Sequence, residues 1–211
     1  MIAVVCAVPA ERRALAGVAD DRLRLHLAGI GADSAALTAA EALAGDPEAL
    51  ISAGFCGALA DDLRVGDLVA ADVVVDERTG DRFAADPPLL AAAPGRRGTM
   101  VSAERVVRTP ADRARLDGLA VDMESAALAR AAQAAGVPFL ALRAVTDERR
   151  HRMPDFDRIV NAAGRLTPGA GLVHFVLHPR ELPALLRLGP AARRAGHSLR
   201  EGMAALVEEL G

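Results

Sequence analysis

Three acidic residues stand where an α/β protein keeps its chemistry. Apolar runs at Ile2–Val8, Leu119–Met123 and Pro138–Thr146 read as strands, and a carboxylate follows each of them: Glu11, Glu124 and Asp147. Open α/β sheets bind ligands outside the carboxyl ends of their strands, so these acids are expected to meet at one edge of one sheet. Singly, each has a plain structural explanation, because acids are favourable near helix N-termini. Jointly they suit cleavage of an N-glycosidic bond. One carboxyl group would donate a proton to a departing purine, a second would accept hydrogen bonds from ribose hydroxyls, and a third would draw a proton from water. Such a division of labour needs environments that push the carboxyl pKa values apart.

Two glycine-rich turns accompany the acids. Ala28-Gly29-Ile30-Gly31-Ala32-Asp33-Ser34 lies between a strand and a helix, but as a dinucleotide fingerprint it is incomplete, with Ser34 in place of the third glycine. Ser52-Ala53-Gly54-Phe55-Cys56-Gly57-Ala58-Leu59 is more informative, since Gly54 and Gly57 would let backbone come close to a small ligand. A tight strand-to-loop crossing explains the same glycines equally well.

Other chemistries are poorly supported. The 211 residues carry 28 acidic and 25 basic side chains, a formal net charge of −3, which is unsuited to coating nucleic acid or anionic lipid. Every basic residue is arginine, which removes Schiff-base lysines and the P-loop lysine. With five phenylalanines and no tyrosine or tryptophan, a base-stacking platform is not expected. Cys6 and Cys56 are too few for a disulfide scaffold or a cysteine-built zinc site, and both read as small buried hydrophobes. His26, His151, His174, His178 and His197 show no ligand spacing, so neither a metal nor a cofactor is predicted.

The elements that must position the acids alternate along the chain. Further strands are expected at Arg22–Gly29, Leu50–Gly54, Asp67–Val75 and Gly98–Ser102. Helices are expected at Ala10–Gly17, Asp33–Leu43, Pro110–Leu116, Ser125–Ala135 and Phe156–Ala163, with a C-terminal pair within Arg180–Leu210. Pro9 and Pro110 suit first-turn positions, Asp33 or Ser34 can cap, and Gly136 can end a helix. Arg78–Arg97 reads as a hairpin tip and loop. The alternation predicts an α/β fold, a three-layer α/β/α sandwich on a mixed, mostly parallel central sheet, in one domain over 1–211 with 165–211 a C-terminal helical extension.

In order, the motifs Ala7-Val8-Pro9-Ala10-Glu11, Ala28-Gly29-Ile30-Gly31, Gly54-Phe55-Cys56-Gly57-Ala58-Leu59, Arg64-Val65-Gly66-Asp67-Leu68-Val69, Val121-Asp122-Met123-Glu124-Ser125-Ala126-Ala127 and Leu142-Arg143-Ala144-Val145-Thr146-Asp147 resemble the nucleoside phosphorylase/nucleosidase superfamily. Its methylthioadenosine/S-adenosylhomocysteine nucleosidases are similar over about residues 1–164. The resemblance implies Glu11 as the water-activating base and Asp147 as the group that protonates or hydrogen-bonds purine N7. Met123 and Glu124 would hold the ribose, with Asp122 beside them. Gly54, Phe55, Cys56 and Gly57 would line the site, and Ser102–Val107 would line the base pocket with Ser102, Val106 and Val107. Val121–Ser125, the Arg113–Leu119 approach and the tail His178–Leu188 look most like hopanoid-associated phosphorylases, which implies release of adenine from a lipid-linked adenosine such as adenosylhopane.

Departures from the superfamily pattern favour water over phosphate as nucleophile. Glu11 puts a negative charge where phosphate would bind, and like charges at short range repel by several kcal/mol even at an effective dielectric of about 20. Ser52 and Phe55 stand at the turn where the phosphorylases carry phosphate-binding residues. Arg12 and Arg13 are the candidate compensating charges, with at least one expected in solvent. A phosphate-dependent purine nucleoside phosphorylase, a methylthioadenosine/S-adenosylhomocysteine or futalosine hydrolase, and a catalytically silent nucleoside-binding protein are the alternatives. The apolar stretch Gly171–Leu177 and the leucines Leu182, Leu185, Leu186 and Leu188 read first as an amphipathic helix packed on the core or on a second copy, and second as a membrane-touching rim. No uncharged run approaches the length of a membrane span. The expected setting is cytoplasmic, with peripheral membrane contact as the further option; the expected partners are a small-molecule purine nucleoside and a second copy in a homodimer, with no nucleic acid.

Overall fold

The structure, a computed structural model, describes residues 1–18, 21–153 and 182–211, the side chains of 182–185 excepted. The elements are β1 (Ile2–Cys6), α1 (Pro9–Leu15), β2 (Leu23–Leu27), α2 (Ala32–Leu43), β3 (Ala49–Ala58), β4 (Leu68–Asp76), β5 (Arg82–Ala84), α3 (Pro87–Ala92), β6 (Arg96–Ser102), α4 (Pro110–Arg113), β7 (Ala120–Asp122), α5 (Ser125–Ala135), β8 (Phe139–Asp147) and α6 (Leu182–Glu209). Their boundaries follow local chemistry. Pro9, Pro87 and Pro110 sit in the first turns of α1, α3 and α4, where a missing N–H costs nothing. Gly136 ends α5 in the left-handed region at φ 68°, a conformation glycine adopts without a Cβ penalty.

The sheet runs in the order β2-β1-β3-β7-β6-β4-β5, with β8 pairing both β3 and β4. β1 lies parallel to β2 and β3, β3 to β8, and β6 to β4 and β7; the β3–β7, β4–β5 and β4–β8 pairs are antiparallel. The α/β mixed-sheet expectation therefore holds, with one addition: β3, β8, β4, β6 and β7 close on one another. The ten-residue β3 makes this possible, since it pairs β8 over Leu50–Gly57 and β7 through Gly57 and Ala58. A register irregularity at Cys56/Gly57 marks where it changes partner.

Side-chain alternation builds the layers. Ala3 and Val5 of β1, Leu50 of β3 and Ala141 of β8 pack with Ala35, Ala39, Leu128 and Ala132 of α2 and α5. Their neighbours Val4, Ile51, Leu140 and Leu142 face the other way, onto Leu15 of α1, Leu89 of α3 and Ala195, Leu199, Met203 and Leu206 of α6. Strands buried on both faces read as continuous apolar runs, as β8 does from end to end.

Four expectations need correction. Arg78–Arg97 holds a strand and a helix: β5 pairs β4, and Asp86 caps α3 by accepting a hydrogen bond from Leu89 N at 3.1 Å. The strand expected to stop at Gly54 continues to Ala58. α2 is preceded by Gly31, at φ 96°, rather than capped by Asp33 or Ser34. The C-terminal pair is one 28-residue helix with Pro190 inside it; burial of its stripe from Ala195 to Val207 offsets the roughly 3 kcal/mol that an interior proline costs. The helix expected at Phe156–Ala163 and the stretch Gly171–Leu177 lie outside the described residues, as do His174 and His178. No described helix is long and apolar enough to cross a membrane.

Candidate active site

The carboxyl ends of β1, β3, β7 and β8 converge on a cavity of about 330 Å³, lined by Glu11, Glu124 and Asp147 together. Phe55, Cys56, Gly57, Val106, Val107, Asp122 and Met123 share its wall, and Ile30, Arg113, Met153, Leu188 and Ala192 complete it. Gly54 and Ser102 are not in that wall. Ser102 ends β6 and is paired with Asp122 of β7. Gly54 lies behind, and its role is spatial.

Glu11 is buried at the start of α1. Its Oε2 accepts from the N–H groups of Ala7 (2.7 Å) and Val8 (2.9 Å), so it ties down the helix N-terminus as the structural explanation requires. Its Oε1 reaches across to β3 and accepts from Phe55 N at 2.7 Å. A carboxylate offers about four acceptor positions, which leaves one for a ligand. Burial raises the pKa of Glu11, opposed by Arg143 and by the three backbone N–H groups.

Arg143, missed as a site residue in the sequence, organises the acids from behind. It sits mid-strand in β8, 1 % exposed. Its Nη2 meets Asp122 Oδ2 at 2.6 Å and Glu124 Oε2 at 3.6 Å, and donates to Ser52 Oγ (2.7 Å) and Ser125 Oγ (3.1 Å). Burial works against its charge, but Asp122, Glu124 and Glu11 outweigh that and raise its pKa. Arg12 and Arg13, the expected compensating charges, are both exposed; Arg143 takes that part because β8 carries it into the core. Gly54 makes room for the arrangement. A Cβ there would stand 2.5 Å from Arg143 Nη1 and 2.6 Å from Glu11 Oε1. Gly57 similarly leaves Asp147 its space, since a Cβ would meet Asp147 Oδ2 at 3.0 Å. The first service of both glycines is thus to site side chains, rather than to a ligand's backbone contacts.

Glu124 opens α5, and its Oε1 accepts from Gly31 N at 2.9 Å. The incomplete glycine fingerprint thus contributes a backbone donor, and no sequence signal linked Gly31 to Glu124. Burial pushes the Glu124 carboxyl up to about 7, helped by Asp122 and Glu11 and opposed by Arg143 and the Gly31 N–H. Asp122 also accepts from Ser125 Oγ. Ser52 and Ser125, both fully buried, complete this network at 3.0 Å from each other.

Asp147 ends β8 against a second buried cation, Arg113, whose Nη2 pairs with Asp147 Oδ2. Thr146 Oγ1 lies 2.9 Å from Asp147 Oδ1. Arg113, like Arg143, was overlooked; a charged residue inside an otherwise apolar stretch was the available signal for Arg143, while nothing local marked Arg113. Cys56 lines the cavity, but burial pushes its thiol far above the usual range, which makes it an inert wall group. His151 is half-buried in the following loop, where its Nδ1 accepts from Glu148 N at 3.3 Å.

The model of the family described as the phosphorylase superfamily matches residues 3–167. Among solved structures, this chain is similar to the S-adenosylhomocysteine nucleosidase of Streptococcus pyogenes, with TM-score 0.77, 22% identity, and 100% of this chain and 97% of that one covered. It is similar to the 5′-methylthioadenosine/S-adenosylhomocysteine nucleosidase of Neisseria meningitidis at TM-score 0.75 and 21% identity, with 98% of each chain covered. The futalosine hydrolase of Helicobacter pylori matches at TM-score 0.74 and 16% identity, over 99% of this chain and 97% of that one. With most of its length matched by the family and its whole length by the fold, the chain belongs to the phosphorylase superfamily and is an enzyme of the nucleosidase or nucleoside phosphorylase kind.

Proposed function

We propose that this chain hydrolyses the N-glycosidic bond of a 5′-substituted adenosine, releasing adenine, with water as the nucleophile. The observation that carries the choice of water is the seat of Glu11. A phosphate nucleophile needs free N–H donors and a cation. Here the Phe55 N–H is already taken by the Glu11 carboxylate at 2.7 Å, and Arg143 Nη2 is engaged by Asp122 at 2.6 Å. The structures similar to this one, described as methylthioadenosine/S-adenosylhomocysteine nucleosidases and a futalosine hydrolase, support the same reaction class.

In this reading, the C1′–N9 bond breaks with its electron pair going to the base, and Asp147 gives a proton to N7 so that the purine leaves neutral. Water forms the new bond to C1′ and passes a proton to the remaining acceptor position of Glu11. The proton returns from Glu11 to Asp147 through solvent. Glu124, with Met123, holds the ribose hydroxyls and sits near the developing positive charge. Val106, Val107 and Phe55 give the base an apolar slot. For the 5′ substituent we favour a large apolar group, a lipid-linked adenosine such as adenosylhopane, because Met153, Leu188 and Ala192 supply an uncharged rim to the cavity. The working form is a cytoplasmic homodimer that touches membrane to collect that substrate.

The test is release of free base from an adenosyl lipid, methylthioadenosine and futalosine in phosphate-free buffer, then with phosphate added. Release without phosphate, lowered at least about 10²-fold by Glu11→Gln, is expected for loss of a general base. Release that strictly requires phosphate would overturn the role given to Glu11, and the preferred substrate decides the 5′ group.

A further inference from the structure

Arg113 has no part in the reaction as written, yet it is among the most deeply buried side chains of the protein, at 1 % exposure. Four-residue α4 delivers it. Thr109 accepts from Asp112 N at 3.1 Å and Asp112 accepts from Thr109 N at 3.2 Å, a reciprocal cap that fixes the turn and points Arg113 inward. Its Nη1 donates to Glu148 O (2.8 Å), Ala58 O (3.3 Å) and Asp147 O (3.4 Å). Its Nη2 pairs with Asp147 Oδ2 and lies 3.5 Å from Val107 O. One guanidinium thus binds the end of β3, the end of β8 and the Val107 loop around one carboxylate. Asp147 Oδ1 is left to Thr146, whose single hydroxyl hydrogen has two acceptors within reach, Asp147 Oδ1 at 2.9 Å and Cys56 O at 3.2 Å.

We propose that Arg113 is a positioning residue for Asp147: it pins Oδ2, so that Oδ1 is the oxygen that carries the proton to the leaving base, and it balances the negative charge left on Asp147 afterwards. This rests on the hydrolytic reading above. When Oδ1 bears the proton, Thr146 donates to Cys56 O and leaves Oδ1 to face the base. When the proton has moved to N7 and the C1′–N9 electron pair to the purine, Thr146 turns its hydrogen to Oδ1. Arg113 remains on Oδ2 through both states. The cation is worth most after proton transfer, when the carboxylate bears full charge in a site that water screens poorly.

The experiment compares wild type, Arg113→Lys, Arg113→Met, Asp147→Asn and the double variant Arg113→Met/Asp147→Asn on two substrates in phosphate-free buffer. Methylthioadenosine has a base that needs a proton to leave, and 4-nitrophenyl riboside has a leaving group that does not. Arg113→Met is expected to lower kcat on methylthioadenosine by about 10²-fold, the low end for loss of a general acid. Its kcat on the nitrophenyl riboside should stay within about threefold of wild type, because that step uses no acid. Arg113→Lys should recover part of the loss, and Arg113→Met should add nothing in the Asp147→Asn background. Equal losses on both substrates, or losses that multiply in the double variant, would overturn the proposal and leave Arg113 a structural staple. If Arg113→Met does not fold, Arg113→Lys and the double variant, which removes both charges, still decide. Wild-type turnover of the riboside checks hydrolysis separately: its presence with an unselective Arg113 effect sinks this inference alone, and its absence with both substrates sinks the hydrolytic reading with it.

Discussion

Arg143→Met keeps an unbranched side chain in the same slot of β8 and removes the guanidinium shared by Asp122, Glu124 and Glu11. At an effective dielectric of about 20, unit charges 2.6 Å apart, as at Asp122, attract by roughly 6 kcal/mol, and charges 3.6 Å apart, as at Glu124, by roughly 5 kcal/mol. Desolvation cancels much of this, and removing one partner of a buried pair costs about 3–5 kcal/mol net. A domain stable by about 5–15 kcal/mol survives such a loss. Urea unfolding is expected to show a midpoint lowered by about 1–3 M at pH 8.5, given slopes of about 1–3 kcal/mol per M. The deficit should also depend on pH with a definite sign. Burial already raises Glu11, and pushes Glu124 up to about 7, while Arg143 opposes both shifts. Without Arg143 both rise further. An acid whose folded pKa exceeds its unfolded value contributes stability that is complete below the unfolded pKa and is lost as pH rises through the folded one. The deficit against wild type is therefore smaller at pH 5 than at pH 8.5. A deficit equal at the two pH values, or larger at pH 5, would refute the electrostatic account and make Arg143 a packing residue.

Two further outcomes follow from the same network. Gly54→Ala places a methyl group 2.5 Å from Arg143 Nη1 and 2.6 Å from Glu11 Oε1. It should cost about 1–3 kcal/mol in denaturant melts through overpacking, with a larger loss in kcat/KM because Glu11 is displaced; wild-type values of both would contradict the close packing. Glu124→Gln replaces an acid raised from 4.5 to about 7, a difference of 7 − 4.5 = 2.5 units. At about 1.4 kcal/mol per unit, the variant should gain on wild type by up to roughly 3 kcal/mol between pH 4 and pH 8. Parallel stability curves for the two proteins would show that Glu124 does not titrate in that window.

Much of the fold was legible because periodicity and punctuation are local. The alternation of apolar strands with alanine-rich helices, the prolines in first turns and Gly136 after α5 each act within a few residues. The three acids were legible for the same reason, since each stands just beyond a recognisable strand. Phe55, Val106, Val107 and Met123 came from the resemblance, and they line the cavity. Arg78–Arg97 was misread because β5 is three residues long and exists only through its pairing with β4. The C-terminal helix was divided because Pro190 is a strong local breaker, whereas the buried stripe that keeps α6 whole is a tertiary effect.

The sequence by itself determined which residues are apolar in strand and helix periods, and that Glu11, Glu124 and Asp147 end strands. It determined too that an arginine stands in the middle of β8. Only the tertiary structure decided their partners. Arg143 meets Ser52 across 91 residues, Glu124 accepts from Gly31 across 93, and Glu11 accepts from Phe55 across 44. Strand order sets such pairs, and a strand's own pattern says which face is buried without saying which neighbour lies beside it. The shifted acids of the site depend on that placement, because burial and a nearby charge are properties of the assembled sheet rather than of any segment.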